Sequence, residues 1–184
     1  IAGAAAVEAT GGPYIEVGLG RQDAEGPDAP GLLPDAGFRG QETREYFGRL
    51  GFSDEEAVAL CGAHTQGRWT SFLGVSPACM AEADDAFWSC TREEGQRLPF
   101  TRHPDSFDTE YFQAVAEFYQ RKQAPPPTQR YKDRPKGQLE RLNLLPSDNA
   151  LIFDERLRPH VLRFAEDRED FFTVFSAAYK KLVG

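Results

Sequence analysis

Two short motifs carry a histidine and an aspartate whose side chains could act together on a metal. His64 lies in the run LCGAHTQG at 60–67, and Asp148 lies in the run LPSDNAL at 145–151. An imidazole that binds a metal through one ring nitrogen commonly donates its other N–H to a carboxylate, which orients the ring and strengthens the ligand. Each residue also has a simpler interpretation, because a lone helical histidine often satisfies a local hydrogen bond and Ser147-Asp148 could cap a helix.

The chain that must position these residues has the composition of one globular domain. It has 184 residues, 40% of them hydrophobic and 12% aromatic, and its mean hydropathy is −0.53. The net charge of −8 and the pI near 5.0 argue against a nucleic-acid binder, which neutralises phosphates with clustered Lys and Arg. No run approaches the roughly 18 apolar residues of a transmembrane helix. We therefore predict a single domain over 1–184, without a membrane span and without a nucleic-acid partner.

Hydrophobic periodicity predicts an all-α fold with long loops and little strand. Ser53 and Glu56 have the spacing of a capping box, which predicts a helix that reaches His64 at its C-terminal end. Gly51 and the run TGGP at 10–13 are typical of helix ends. Apolar residues at helical spacing indicate later helices at Phe107, Tyr111, Phe112, Val115, Phe118 and Tyr119, at Leu157, Val161, Leu162 and Ala165, and at Phe171, Phe172, Phe175, Ala178, Tyr179 and Leu182.

These motifs resemble those of the haem peroxidases, class I, and of ascorbate peroxidase in particular. The run GFSDEEAVALCGAHTQGR at 51–68 is similar to the helix that carries the proximal histidine in that superfamily. Further similar motifs follow in the family's order over nearly the whole length, at 1–13, 20–23, 33–36, 106–112 and 171–172. The resemblance implies the proximal portion of a haem-peroxidase-like helical fold.

The resemblance also implies a haem-binding site. It assigns His64 as the ligand to the iron of haem b and Asp148 as the buried acceptor of the other ring N–H. Phe100 falls where ascorbate and cytochrome c peroxidases carry a proximal Trp. Phenylalanine fills the same space, but it lacks the indole N–H that bonds the aspartate, and its ring is harder to oxidise. Cys61 is interpreted as a core residue.

A proximal cation site of the family maps onto Thr65, Thr101, Asp108 and the Ser106 carbonyl by the same resemblance. His103 stands where an oxygen ligand is expected, and an imidazole nitrogen is a poor ligand for a hard alkali cation. The sequence therefore predicts a degraded site without a bound metal ion.

Two insertions, at about 69–98 and 121–141, distinguish the chain from a minimal ascorbate peroxidase. The first is rich in aromatic and acidic residues and contains Cys79 and Cys90, which are either bridged or unpaired. The second contains a proline run and clustered Lys and Arg, which suit a solvated loop or an arm that docks on a protein or on anionic lipid. We expect both at the surface and at least one in contact with a protein partner.

Two functions follow from these observations. The first is an ascorbate-peroxidase-like haem protein that reduces hydrogen peroxide with a small electron donor. The second is a non-catalytic structural subunit of a larger photosynthetic or respiratory membrane complex, in which haem has been lost. The resemblance favours an organelle, the chloroplast and its thylakoid lumen first and the mitochondrion second.

The distal half of the catalytic site has no counterpart in the sequence as it stands. The family cleaves peroxide with a distal His and Arg, carried on a helix before the turn at 10–13. His103 and His160 match the proximal half, so no distal catalytic residue is assigned. We expect residues 1–184 alone to show no peroxidase turnover.

Overall fold

The computed structural model describes residues 1–70 except positions 21, 23 and 30, residues 97–123, and residues 144–184. Within these ranges the chain forms seven α-helices and one pair of short strands, which confirms the mainly helical fold. The helices are α1 (Ala2–Ala9), α2 (Gly40–Arg49), α3 (Asp54–Cys61), α4 (Glu110–Gln123), α5 (Pro146–Phe153), α6 (Arg158–Glu166) and α7 (Arg168–Val183). The strands are β1 (Arg68–Thr70) and β2 (Arg97–Pro99).

Local sequence signals set the start of α3 and the end of α2. The Ser53 hydroxyl accepts a 3.2 Å hydrogen bond from the Glu56 N–H, and the Glu56 carboxylate accepts a 2.8 Å bond from the Ser53 N–H. Gly51, at φ +86°, ends α2 in the left-handed conformation that favours glycine. The sequence predicts that this helix reaches His64. In the structure α3 ends at Cys61, and His64 lies in a 3₁₀ turn over Gly62–Thr65.

An aromatic cluster forms the centre of the core. Helix α4 packs on α5 and α6, and α3 packs on α7. The cluster comprises Phe107, which lies just before α4, and the helical residues Tyr111, Phe112, Phe164, Phe171 and Phe175, all at most 1% exposed. Phe112 meets the Phe171 ring edge-on at a centroid distance of 4.9 Å. Burying one such ring stabilises the fold by roughly 1.5–3 kcal/mol, so this cluster anchors the helices that carry the candidate site.

One of the apolar residues that indicate α6 in the sequence lies outside the core. Leu162 is 39% exposed, whereas Phe164 is fully buried. Val161 and Phe164 lie three positions apart on one face of α6, and the larger aromatic ring occupies the interior. The spacing of apolar residues alone does not show whether the helix face with Val161 and Phe164 or the adjacent face with Leu162 is buried.

Most of both predicted insertions, with Cys79 and Cys90, lies outside the described residues, so their surface position and partners stay predictions. Strands β1 and β2 pair antiparallel, with Arg68 opposite Pro99, so the two ends of the first insertion lie side by side. In the part of the chain that the structure describes, no helix combines the length and apolar character needed to cross a membrane.

A carboxylate at the end of α5 fixes α2 to the turn before α6. Asp154 Oδ2 accepts a 3.1 Å hydrogen bond from Arg44 Nε, and Oδ1 accepts bonds of 2.9 and 3.2 Å from the backbone N–H groups of Arg156 and Leu157. Burial raises the pKa of Asp154, but the backbone donors and the Arg44 guanidinium outweigh it and hold the pKa below its ordinary value.

We expect Asp154→Asn to lower the free energy of unfolding by about 1 kcal/mol at neutral pH. Because the folded pKa lies below the unfolded one, the stabilisation from Asp154 is present above the unfolded value of about 3.9 and is lost as pH falls through the folded pKa. Urea unfolding of the protein and the variant at pH 7 and pH 3 should show their difference shrinking at the lower pH. Asp28→Asn, at an exposed carboxylate, is the control. A difference that is the same at both pH values would contradict the expectation.

Candidate functional site

The fold brings His64 and Asp148 together across 84 residues, with His64 Nδ1 2.8 Å from Asp148 Oδ1. The aspartate is only 2% exposed, whereas the histidine side chain is 36% exposed. Because a carboxylate only accepts hydrogen bonds, Nδ1 must carry the proton. The second ring nitrogen, Nε2, makes no hydrogen bond to any described residue, so it is the atom available to a ligand.

The Asp148 carboxylate is held on both of its oxygens. The Tyr111 hydroxyl donates a 2.8 Å hydrogen bond to Oδ1, the same oxygen that bonds His64. The Leu145 N–H donates a 2.6 Å bond to Oδ2. Asp148 lies in the first turn of α5, whose N-cap is Leu145, so one oxygen satisfies the helix start while the other pairs with the imidazole. Asp148 thus helps to satisfy the helix start as its third residue, but it is not the N-cap that its sequence context suggested.

The electrostatics of the site keep protons on the groups around the Asp148 carboxylate. Burial lowers the pKa of His64, but the charge and hydrogen bond of Asp148 outweigh it, and the pKa lies above its ordinary value. Burial, with the Asp148 charge, raises the pKa of Tyr111 well above 10, so the phenol keeps its proton and donates. The same two causes raise the pKa of Cys61 to about 12, which keeps its thiol protonated.

Small and aromatic neighbours fix the position of the His64 ring. A Cβ on Gly62 would lie 2.7 Å from atoms of both Phe112 and Phe171, so only glycine lets the 3₁₀ turn approach the aromatic cluster. Phe100 stacks on the imidazole with a centroid distance of 4.3 Å and an interplanar angle of 6°. The Tyr111 ring meets it edge-on at 5.9 Å. The ring is therefore held on its face, on its edge and through Nδ1.

The exposed part of His64 belongs to the wall of a cavity of about 250 Å³. A 2.9 Å hydrogen bond from the Ser147 N–H to the Ala36 carbonyl ties the connection before α2 to the start of α5 at this wall. The other lining residues are mainly apolar and comprise Pro34, Asp35, Phe38, Thr43, Phe47, Leu60, Cys61, Leu145 and Asp148. His64 is the one histidine among the described residues that line this largely hydrophobic recess.

This donor set fits haem better than a protein-only metal centre. A bare metal ion generally needs three or four protein ligands, and the described residues contain no group of three His, Cys, Asp or Glu side chains able to hold one. A haem iron needs one axial nitrogen from this side, because the porphyrin supplies four ligands itself. His64 Nε2, on a residue that lines a largely apolar cavity, would be able to supply that nitrogen.

The residues predicted for a degraded cation site also come together. The Thr65 hydroxyl donates a 3.0 Å hydrogen bond to Asp108 Oδ1, and the Thr101 hydroxyl donates a 2.9 Å bond to the Thr65 carbonyl. His103 instead lies at the surface, with Nδ1 3.1 Å from the Glu110 carboxylate. The oxygen atoms of the three residues hydrogen-bond within the protein, and their metal-binding role stays a prediction.

Sequence reasoning missed Tyr111 as a member of the site. It was interpreted only as one of the apolar positions of α4, where hydrophobic periodicity places it correctly. A signal was present, because a phenol buried among phenylalanines must find a hydrogen-bond partner for its hydroxyl. The sequence gives no indication that this partner is Asp148, which lies 37 residues further along the chain.

Comparison with known proteins agrees with this geometry. The profile of the family described as Peroxidase matches residues 1–167. The cytosolic L-ascorbate peroxidase 1 of Oryza sativa subsp. japonica is 34% identical over 184 residues, covering 99% of this chain and 58% of the relative. The mitochondrial cytochrome c peroxidases of Emericella nidulans and Aspergillus fumigatus are 34% and 36% identical, covering 100% of this chain and 45% and 44% of the relatives.

The chain belongs to the peroxidase family. Ascorbate peroxidase and cytochrome c peroxidase are both class I haem peroxidases, so the resemblance seen in the motifs is confirmed and haem is the cofactor that the family implies. The chain spans about half the length of the curated relatives it matches.

Proposed function

We propose that this chain forms the proximal side of a haem b site within one peroxidase-like domain over 1–184, with His64 Nε2 as the ligand to iron. The observation that carries the proposal is the 2.8 Å contact between His64 Nδ1 and buried Asp148, on a ring whose other nitrogen bonds no described residue. Membership of the peroxidase family supports it. Asp148 keeps the proton on Nδ1 and so makes Nε2 the electron-donating nitrogen.

The activity that we propose for the whole protein is the reduction of hydrogen peroxide by a small electron donor. When bound, haem supplies the iron at which peroxide reacts. Phe100 covers one face of the His64 ring. Because phenylalanine is harder to oxidise than the indole at this position in the resembled enzymes, we propose a small donor of the ascorbate class and not cytochrome c.

The non-catalytic subunit has less support. The relatives cited above carry the names of enzymes, and the insertions expected to contact partners lie outside the described residues. The expected chloroplast location finds no support in those relatives either. The two cytochrome c peroxidases are named mitochondrial and the ascorbate peroxidase is named cytosolic; of the two organelles expected, we propose the mitochondrion.

Haem titration and donor specificity test the proposed function. We expect residues 1–184 to bind one haem per chain with a Soret band, and the whole protein to consume peroxide faster with ascorbate than with reduced cytochrome c. The control is free haem at the same concentration with each donor. Absence of a Soret shift on titration would contradict the cofactor, and a preference for cytochrome c would contradict the proposed donor class.

A further inference from the structure

The buried hydroxyl of Tyr111 has no part in the proposed function as stated so far. It donates to Asp148 Oδ1 over 2.8 Å, and His64 Nδ1 contacts that same oxygen, also over 2.8 Å. Phe100, the aromatic neighbour stacked on the histidine, has no hydrogen to donate. Among the described side chains, His64 and Tyr111 are therefore the two donors that share this carboxylate oxygen.

We propose that Tyr111 is a positioning residue that limits how strongly His64 donates electrons to haem iron, by sharing Asp148 Oδ1 with it. The proposal rests on the proposed function, in which His64 is the iron ligand. An oxygen with two lone pairs can accept both bonds, but each donor then meets less negative charge than it would alone. A weaker bond at Nδ1 leaves less negative character on the imidazole ring, and hence on Nε2.

The surroundings allow the hydroxyl to be removed without releasing the carboxylate. Oδ2 stays bound to the Leu145 N–H over 2.6 Å, and Asp148 stays in the first turn of α5. A Tyr111→Phe side chain occupies nearly the same volume, so its packing against Phe112 and the His64 ring is retained. In this variant Oδ1 is left to His64 alone, which predicts a stronger bond between His64 and Asp148.

The reduction potential of bound haem tests whether the Tyr111 hydroxyl weakens the electron donation from His64. We expect the Fe(III)/Fe(II) potential of haem-loaded Tyr111→Phe to be lower than that of the unsubstituted protein, because a more electron-rich imidazole favours the oxidised iron. Asp148→Asn should shift the potential in the opposite direction. Tyr119→Phe is the matched control, since it removes a hydroxyl from the same helix, where the ring packs on Phe153 and Arg158, and should leave the potential unchanged. An unchanged or raised potential in Tyr111→Phe would overturn the proposal.

A second measurement needs no haem. In ¹⁵N-edited proton spectra of the haem-free protein, the His64 Nδ1–H resonance should move downfield in Tyr111→Phe, as its hydrogen bond strengthens, and stay in place in Tyr119→Phe. A resonance that stays in place or moves upfield in Tyr111→Phe overturns the sharing of Oδ1. A downfield shift in a protein that binds no haem at His64 would support the sharing of Oδ1 by Tyr111 and His64. It would overturn the proposed function, and with it the influence of Tyr111 on the iron.

Discussion

His64→Ala is expected to lower the haem affinity at least about 100-fold, whereas His103→Ala and His160→Ala should leave the haem affinity unchanged. Removing a partner that only orients a metal ligand typically costs 10–100-fold, and removing the ligand itself should cost more. The controls are informative because His103 lies at the surface beside Glu110 and His160 lies on α6, outside the lining of the cavity at His64. Titration of each variant with haem, followed at the Soret band, gives the affinities.

Chemical rescue separates the loss of a ligand from the loss of the fold. His64→Gly leaves a space beside Phe100 that added imidazole can fill, and we expect millimolar imidazole to restore a histidine-like haem spectrum. The restored ring would have Asp148 as its partner, because the carboxylate is held independently by Leu145 and Tyr111. Haem affinity in His64→Ala equal to that of the unsubstituted protein would refute the assignment of the ligand.

Local features of the fold were predictable because their causes are local. The capping box of Ser53 and Glu56 satisfies backbone groups within one turn, and Gly51 ends α2 through its own backbone angle. Lys181 of α7 also bonds the Glu56 carboxylate and the Gly51 carbonyl, but the backbone signals themselves lie within one turn. Local sequence does not decide which side chain of α6 is buried. The helices that pack on α6 place Phe164 in the core and leave Leu162 exposed.

The candidate site depends on contacts between distant parts of the chain. Nothing in a separation of 84 residues indicates that His64 and Asp148 meet, and their pairing was expected only through the resemblance to a known family. The role of Tyr111 was missed because a periodic apolar pattern shows that a position is buried but not what its hydroxyl contacts. The close approach at Gly62 likewise depends on rings from α4 and α7.

Asp148→Ala is expected to lower the free energy of unfolding of the haem-free protein by about 3 kcal/mol or more. The substitution removes the acceptor of three hydrogen bonds at once, and the buried Tyr111 hydroxyl and the Leu145 N–H lose their partners. Each buried donor left unsatisfied costs about 1–3 kcal/mol. Glu155→Ala, at an exposed carboxylate just beyond α5, should stay within about 0.5 kcal/mol of the unsubstituted protein. Urea unfolding measures both.

A double substitution shows whether this cost comes from the network. In Tyr111→Phe with Asp148→Ala, the phenol that would be left unsatisfied is itself absent, so the combined loss of stability should be smaller than the sum of the two single losses. Residues joined by a hydrogen bond typically show such coupling at 0.5–3 kcal/mol, whereas separated residues add. Strict additivity would mean that the Tyr111 hydroxyl and the Asp148 carboxylate stabilise the protein independently, and the shared oxygen could not then be the link between tyrosine and histidine.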